Sequence, residues 1–411
     1  MRDFLLRQFL PFGLARTLSL AGMPLLQFLV ASLCSNEEAG RFYLMSSLAF
    51  IASQIADLGI SRAMPVLFSD DVARASPLLP EITILRLLSA LLAGLVFLVV
   101  NHLGAVGWQW QTGGLLMFAF CVGRVILLGN QGYCHARQQY ALLLRGSLLH
   151  VMAATVTLAL AVYYQKLGAE AALAALTAGV WAELLVIDNS AAHPLRKSAF
   201  AWQSAGQLIW PFANVGLFTA INNRIESVVA GRFLDPVSLG IFGTLDSAFK
   251  MAIWPSYVSA QAVYPSVRDA IAERDPARLR RQATRHFVAG GLICAAVMVV
   301  SGAYWYFRMS SDLWLTVSAS LLWFSLWISV PFAFLAPLYY SFRLETAFAR
   351  LTALTTILRC ALAVILAVKF GYVGLCANHA VISLLALAVF WKGLTRVMRQ
   401  NVKSDPVARH E

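Results

Sequence analysis

Apolar residues come along this chain in long, nearly unbroken runs, not in the alternation of a half-buried strand or the one-sided stripe of a soluble helix. The runs lie at 9–34, 42–61, 83–104, 112–133, 141–163, 169–188, 206–230, 237–262, 287–307, 313–340, 347–368 and 373–391. Most reach the roughly 20 residues that a helix needs to cross the hydrocarbon of a bilayer. The pattern predicts an all-α polytopic membrane protein with about twelve transmembrane helices. The first run is too long for a signal-peptide core and carries Arg16, so it is expected to stay as the first helix. Pro211, Pro255 and Pro331 interrupt later runs, which membrane helices tolerate where neighbours or water satisfy the freed backbone groups.

Composition agrees. Hydrophobic residues make up 59% of the chain and charged residues 13%, against about a quarter charged in soluble domains. The net charge of +12 is therefore assigned to cytoplasmic loops rather than to nucleic-acid binding. Arg268, Arg274, Arg278, Arg280, Arg281 and Arg285 form one dense basic connector, and Lys392, Arg396, Arg399, Lys403 and Arg409 form a basic tail. The opposite side receives only Arg41, Lys166, Arg232, Arg308 and Lys369. Both termini are then cytoplasmic. The six cysteines lack metal-ligand spacing and are expected to be packing residues. The histidines are scattered, with no metal spacing, mostly near predicted interfaces. No metal and no cofactor is expected, and no glycine-rich phosphate loop followed by lysine is present.

What the apolar runs do not explain is the charge inside them. Trp210 to Pro265 reads as two long helices joined by the turn Gly231-Arg232-Phe233-Leu234-Asp235-Pro236. The first carries Asn223, Arg224 and Glu226, and the second carries Asp246 and Lys250 one helical turn apart. A lone charge facing lipid costs several kcal/mol, so these groups must face protein or water. They either line a hydrophilic path or form an ion-pair cluster fastening the two helices. Arg16, Arg124 and Arg359 also lie well inside runs, where they line a cavity, snorkel, or bond carbonyls of a neighbouring helix. Asp57, just ahead of Gly59, fits a gate or a structural turn. Glu183 and Asp188, toward the end of the sixth run, could relay protons, but their nearness to the basic linker favours a surface role.

A shift of 200 residues brings Pro11-Phe12 onto Pro211-Phe212, Gly40 onto Gly240, Phe42 onto Phe242, Ser47 onto Ser247, Ala52 onto Ala252 and Pro65 onto Pro265 without a gap. This register predicts two six-helix lobes, 1–190 and 205–395, joined by a cytoplasmic linker at 191–204 and followed by a tail at 396–411. An even helix count per lobe relates the two by a pseudo-two-fold axis along the membrane normal.

Glu37-Glu38-Ala39-Gly40-Arg41-Phe42, then Asp57-Leu58-Gly59-Ile60, and in the second half Asp235-Pro236-Val237-Ser238-Leu239-Gly240-Ile241-Phe242, resemble the bacterial polysaccharide (O-antigen type) flippases of the multidrug/oligosaccharidyl-lipid/polysaccharide exporter superfamily. The resemblance implies a non-enzymatic carrier in the bacterial inner membrane that opens alternately to each side. Its cargo would be undecaprenyl-diphosphate-linked oligosaccharide, moved to the periplasmic leaflet for lipopolysaccharide O-antigen or exopolysaccharide assembly. Its partners would be that substrate, membrane lipids and other assembly proteins. Planar arginines suit a diphosphate, so Arg16, Arg124, Asn223, Arg224, Lys250 and Arg359 are the expected substrate contacts. Asp57, Glu226 and Asp246 are expected to gate or couple. The alternatives are a multidrug antiporter of the same superfamily, which calls for a buried carboxylate in the first lobe where helix 1 offers none, and a membrane glycosyltransferase or polymerase. The latter usually needs a larger extramembrane region than the Arg268–Arg285 connector provides.

Overall fold

A computed structural model describes residues 10–61, 79–102, 111–136, 139–187, 202–273, 275–309, 312–342 and 344–404. They form helices α1 (Leu10–Leu33), α2 (Asn36–Ala56), α3 (Leu79–His102), α4 (Gln111–Ala136), α5 (Tyr140–Tyr163), α6 (Ala169–Ile187), α7 (Trp202–Phe233), α8 (Pro236–Ala272), α9 (Pro276–Met309), α10 (Leu313–Ser341) and α11 (Glu345–Ser404), with no strand among the described residues. The expected linker at 191–204 lies almost wholly outside them.

Among the described residues five helical stretches are long and apolar enough to cross a membrane: Thr112–Cys134, Tyr140–Tyr163, Ala169–Ile187, Leu313–Ala336 and Thr346–Arg396. Outward faces agree. On α3 Leu88, Leu92, Leu95 and Val99 are exposed at spacings of three and four, and Met152, Val156 and Leu160 on α5 at spacings of four. Such apolar ridges are unsuited to water and suited to lipid tails. The chain is a multi-pass membrane protein.

The last helix is folded back on itself. Gly371 has φ 59° and ψ −139°, a backbone state that only glycine takes cheaply. The Leu366 carbonyl lies directly against Gly374, leaving no room for a Cβ there. Asn378 Nδ2 donates to the Arg359 carbonyl at 3.4 Å. These contacts make 345–370 and 372–404 antiparallel arms, with the break in the interval expected between runs 347–368 and 373–391.

One expectation needs correcting. The basic stretch from Arg268 to Arg285 is not a loop. Arg268 sits on α8, while Arg278 to Arg285 form the opening turns of α9. Asp275 starts α9 by accepting from the Arg278 amide at 2.8 Å, and arginine, glutamine and alanine are good helix formers, so helix continues past the apolar run.

α1 to α6 pack mainly among themselves, as do α7 to α11. Contact between the groups runs chiefly through α1 and α2 against α8, and α2 against α7. At that seam the 200-residue register becomes physical. Ser35 caps α2 by accepting from the Glu38 amide at 3.3 Å. Asp235 caps α8 by accepting from the Val237 and Ser238 amides at 3.0 Å each, contacts that hold its carboxyl below the usual carboxylate range. A Cβ on Gly40 would stand 2.6 Å from the Pro236 carbonyl oxygen, and one on Gly240 would strike the Asn36 carbonyl. Residue 40 meets 236 and residue 240 meets 36, the reciprocal pattern of a two-fold contact. Each position from 32 to 47 is as buried as the one 200 residues later.

Candidate functional site

The site grows from α7 and α8, whose inward faces carry the charges, and is completed by α2 and both arms of α11. Asp246 is fully buried. Its Oδ2 accepts from the Tyr43 hydroxyl of α2 at 2.5 Å and from Lys250 one turn along α8. Its Oδ1 lies 3.2 Å from His379 Nε2. The Tyr43 hydroxyl in turn accepts from Ser227 Oγ of α7 at 2.6 Å. Glu226, 2% exposed, pairs with Arg359 and accepts from Asn378 Nδ2 at 3.0 Å. Arg359 Nη2 and His379 Nδ1, 2.5 Å apart, join the two halves of the network.

Arg224 leaves this network toward α2. Its guanidinium reaches Ser47 Oγ at 3.4 Å and lies 5.0 Å from the centre of the Phe50 ring. Arg124 of α4 approaches the same ring at 5.4 Å. The two guanidinium carbons are thus at most about 10 Å apart, which at an effective dielectric of about 20 means more than about 1.5 kcal/mol of mutual repulsion. Arg124 is 4% exposed, and its Nε has no hydrogen-bond partner. Among the described residues it forms no ion pair; the Glu183 and Asp57 carboxylates act on it through space.

The expected residues therefore divide. Arg224, Glu226, Asp246, Lys250 and Arg359 converge on one buried network, and Arg124 joins it across Phe50. Asn223 is exposed on α7. Asp57 belongs to a second cluster, where it pairs with Arg86 at 3.2 Å and accepts from the Ser61 amide and hydroxyl. The Arg16 side chain lies outside the described residues, as does Asp188. The anticipated fastening of the two consecutive helices is not the pairing formed. Glu226 ties α7 to α11, and the Asp246–Lys250 pair is internal to α8, because their charged faces meet the final helix rather than each other.

Sequence reasoning missed Arg86, passed over His150 and His379 as scattered histidines, and favoured the surface over a proton relay for Glu183. Arg86 is 4% exposed, with its guanidinium in the space left by Gly129. The surface expectation for Glu183 is wrong: it is fully buried, accepting from Gln131 Nε2 at 2.7 Å and facing His150 Nδ1 at 2.9 Å. Its sequence signal was its place within an apolar run, one turn after Gly179. Only the absence of any basic residue on that run separated it from a snorkelling end charge.

No protein-family model and no curated protein matches the sequence. Solved structures do. The eukaryotic MATE transporter AtDTX14 superposes with a TM-score of 0.69 at 15% identity, over 96% of this chain and 98% of that one. The lipid II flippase MurJ, in an inward closed conformation, gives 0.68 at 13% identity over 93% and 87%. An inward-facing multidrug resistance MATE family transporter of the MOP superfamily gives 0.65 at 14% identity over 95% of each chain. At such identities the likeness establishes the fold that this chain shares with MATE transporters and with MurJ, and carries over neither cargo.

Proposed function

We propose that the protein is an alternating-access carrier that moves undecaprenyl-diphosphate-linked oligosaccharide across the inner membrane for surface polysaccharide assembly. Two six-helix lobes, 1–190 and 205–395, would rock about the α1/α2–α7/α8 seam, with both termini cytoplasmic. The observation that carries this cargo is the buried Arg124, without an ion-pair partner among the described residues and beside a second arginine on one phenyl ring. A diphosphate between them would replace repulsion with charge-assisted hydrogen bonds. Lys250 and Arg359 would be second contacts, released to the cargo as Asp246 and Glu226 find other partners. Arg16 and Asn223 complete the proposed set, and Asp57, Glu226 and Asp246 are the proposed gates.

The buried acids Glu183 and Asp57 of the first half support one other function, a multidrug antiporter with the fold of the MATE neighbours. The two differ in what the arginines do. Arg124→Ala or Arg224→Ala is expected to abolish surface polysaccharide in a strain dependent on this protein, at unchanged protein level and insertion. Wild-type polymer from both variants overturns the anionic cargo.

A further inference from the structure

Three apolar runs end at one level of the second helix group. Run 313–340 stops just past Tyr339, run 347–368 opens at Ala347, and run 373–391 stops two residues short of Gly393. In the fold these three residues line one pocket of about 480 Å³, set between α10 and the two arms of α11 and open on one side. That volume lies within the roughly 300–1,000 Å³ of ligand pockets.

Gly393 makes the space. A Cβ there would stand 2.5 Å from the Tyr339 hydroxyl and 3.2 Å from Leu351 Cδ1. The Tyr339 hydroxyl already donates to the Phe390 carbonyl at 2.8 Å, so the phenol asks nothing of a ligand. Leu344, Ala347 and Leu351 supply apolar walls. They pack in a cluster that also takes Val267 and Ile271 of α8 and Leu279 and Ala283 of α9. The pocket therefore shares its end of the bundle with the arginine-rich opening of α9.

Arg350 is the one charge among the described lining residues. It is exposed and forms no ion pair with a described residue. Lys392, beside Gly393 in the chain, is exposed too. Each cation stands at the head of an apolar ridge. Leu354 and Ile357 follow Arg350 by one and two turns, Leu385 and Val381 precede Lys392 by two and three, and all four are exposed. Such ridges suit lipid tails, and a cation where they stop suits a molecule with an anionic head above apolar chains.

We propose that this pocket binds one anionic glycerophospholipid, with its phosphate on Arg350 and an acyl chain entering between Leu344, Ala347 and Leu351. Contacts between guanidinium and phosphate are charge-assisted, and basic pockets between membrane helices take such head groups. One guanidinium matches the single charge of a phosphodiester. A diphosphate calls for more than one cation, and the paired arginines that suit it lie around Phe50. The lipid site is thus separate from that of the proposed cargo and does not depend on it. A bound lipid would join α10 to both arms of α11, which carry Arg359, Asn378 and His379, and would stabilise the folded chain by mass action.

The full chain in neutral detergent is incubated with dioleoyl phosphatidylglycerol or dioleoyl phosphatidylcholine, and retained lipid is counted by native mass spectrometry. Wild type is expected to keep one phosphatidylglycerol, with about tenfold higher affinity than for phosphatidylcholine, and to melt higher with it. Arg350→Gln should remove the preference. Thr346→Trp, which sets an indole at an exposed lining position, should lower phosphatidylglycerol retention as well, and keeps the test in hand if the first variant misfolds. Arg281→Gln, exposed on α9 and outside the pocket lining, should bind like wild type. Equal losses from Arg350→Gln and Arg281→Gln would mean diffuse attraction to a basic surface and overturn the site. Equal affinity for the two lipids, or no retained lipid on wild type, overturns it also. Glycerol 3-phosphate binding as tightly as phosphatidylglycerol would make the ligand a free phosphate and refute the lipid.

Discussion

The Glu226–Arg359 pair gives the sharpest test of the network. The two side chains are 2% and 8% exposed and join α7 to the first arm of α11. Removing one partner of a buried pair strands the other charge and costs about 3–5 kcal/mol. Glu226→Leu also deprives Asn378 of an acceptor, worth about 1 kcal/mol more. Arg359→Met leaves Glu226 with Asn378 and with His379 Nε2 4.0 Å away, so it belongs at the lower end of the range. The double substitution removes one charge of each sign and substitutes apolar volume, which at buried pairs is often neutral or stabilising. Thermal unfolding in detergent, at one heating rate, is the assay. With about 2–4 °C per kcal/mol for 150–250 residues, falling to roughly 1 °C per kcal/mol for a chain of 411, each single variant should melt roughly 3–7 °C low and the double variant should lie above both. A double variant that falls by the sum of the two singles would show that the charges do not face each other in the folded protein.

Ala at Gly40 or Gly240 should lower the melting point and folded yield, because the new methyl meets backbone that cannot swing aside and overpacking costs about 1–3 kcal/mol or more. Gly291→Ala, with open space around it, should instead stabilise the fold by up to about 1 kcal/mol and so raise the melting point slightly. Gly129→Ala should behave like Arg86→Ala in the same assay, since its methyl would occupy the seat of the Arg86 guanidinium; a silent Gly129→Ala contradicts the Arg86–Asp57 pairing. Tyr43→Phe should cost about 1–3 kcal/mol in detergent melting, as it removes the hydroxyl that Ser227 donates to and Asp246 accepts from.

The apolar runs, the charged faces of α7 and α8 and the turn at Asp235-Pro236 were all legible in the sequence, because each is a local pattern. Which charges pair was not. Arg359 lies more than a hundred residues after Glu226, and only the fold-back at Gly371 sets His379 and Asn378 beside it. Arg86 and Glu183 were lost for a different reason. Each stands within a few residues of a run's expected end, where a charge that reaches the membrane surface and one turned inward look identical in one dimension. The tilt and overshoot of helices such as α8, which runs ten residues past the end of its apolar run of 237–262, decide between them. No window of hydropathy contains that information.

The repeat explains why the network is lopsided. A shift of 200 residues places Leu26 on Glu226, Ser46 on Asp246 and Phe50 on Lys250, so the backbones of the two hairpins correspond while their charges do not. Tyr43 shows what the asymmetry allows. Its counterpart is Gly243, and a Cβ there would stand 2.6 Å from the Tyr43 ring; two tyrosines could not occupy the seam together. One therefore crosses from α2 into the space its counterpart leaves and reaches the Asp246 carboxylate on the other side. Placing the charges of this seam in the second hairpin, and a neutral phenol opposite, lets the helices approach to glycine contact while keeping a polar network between them. The proposed carrier, whose seam would open and close, would need contacts of this kind: hydrogen bonds that water can replace when the helices part, with Asp246 and Glu226 still held by bases of their own half.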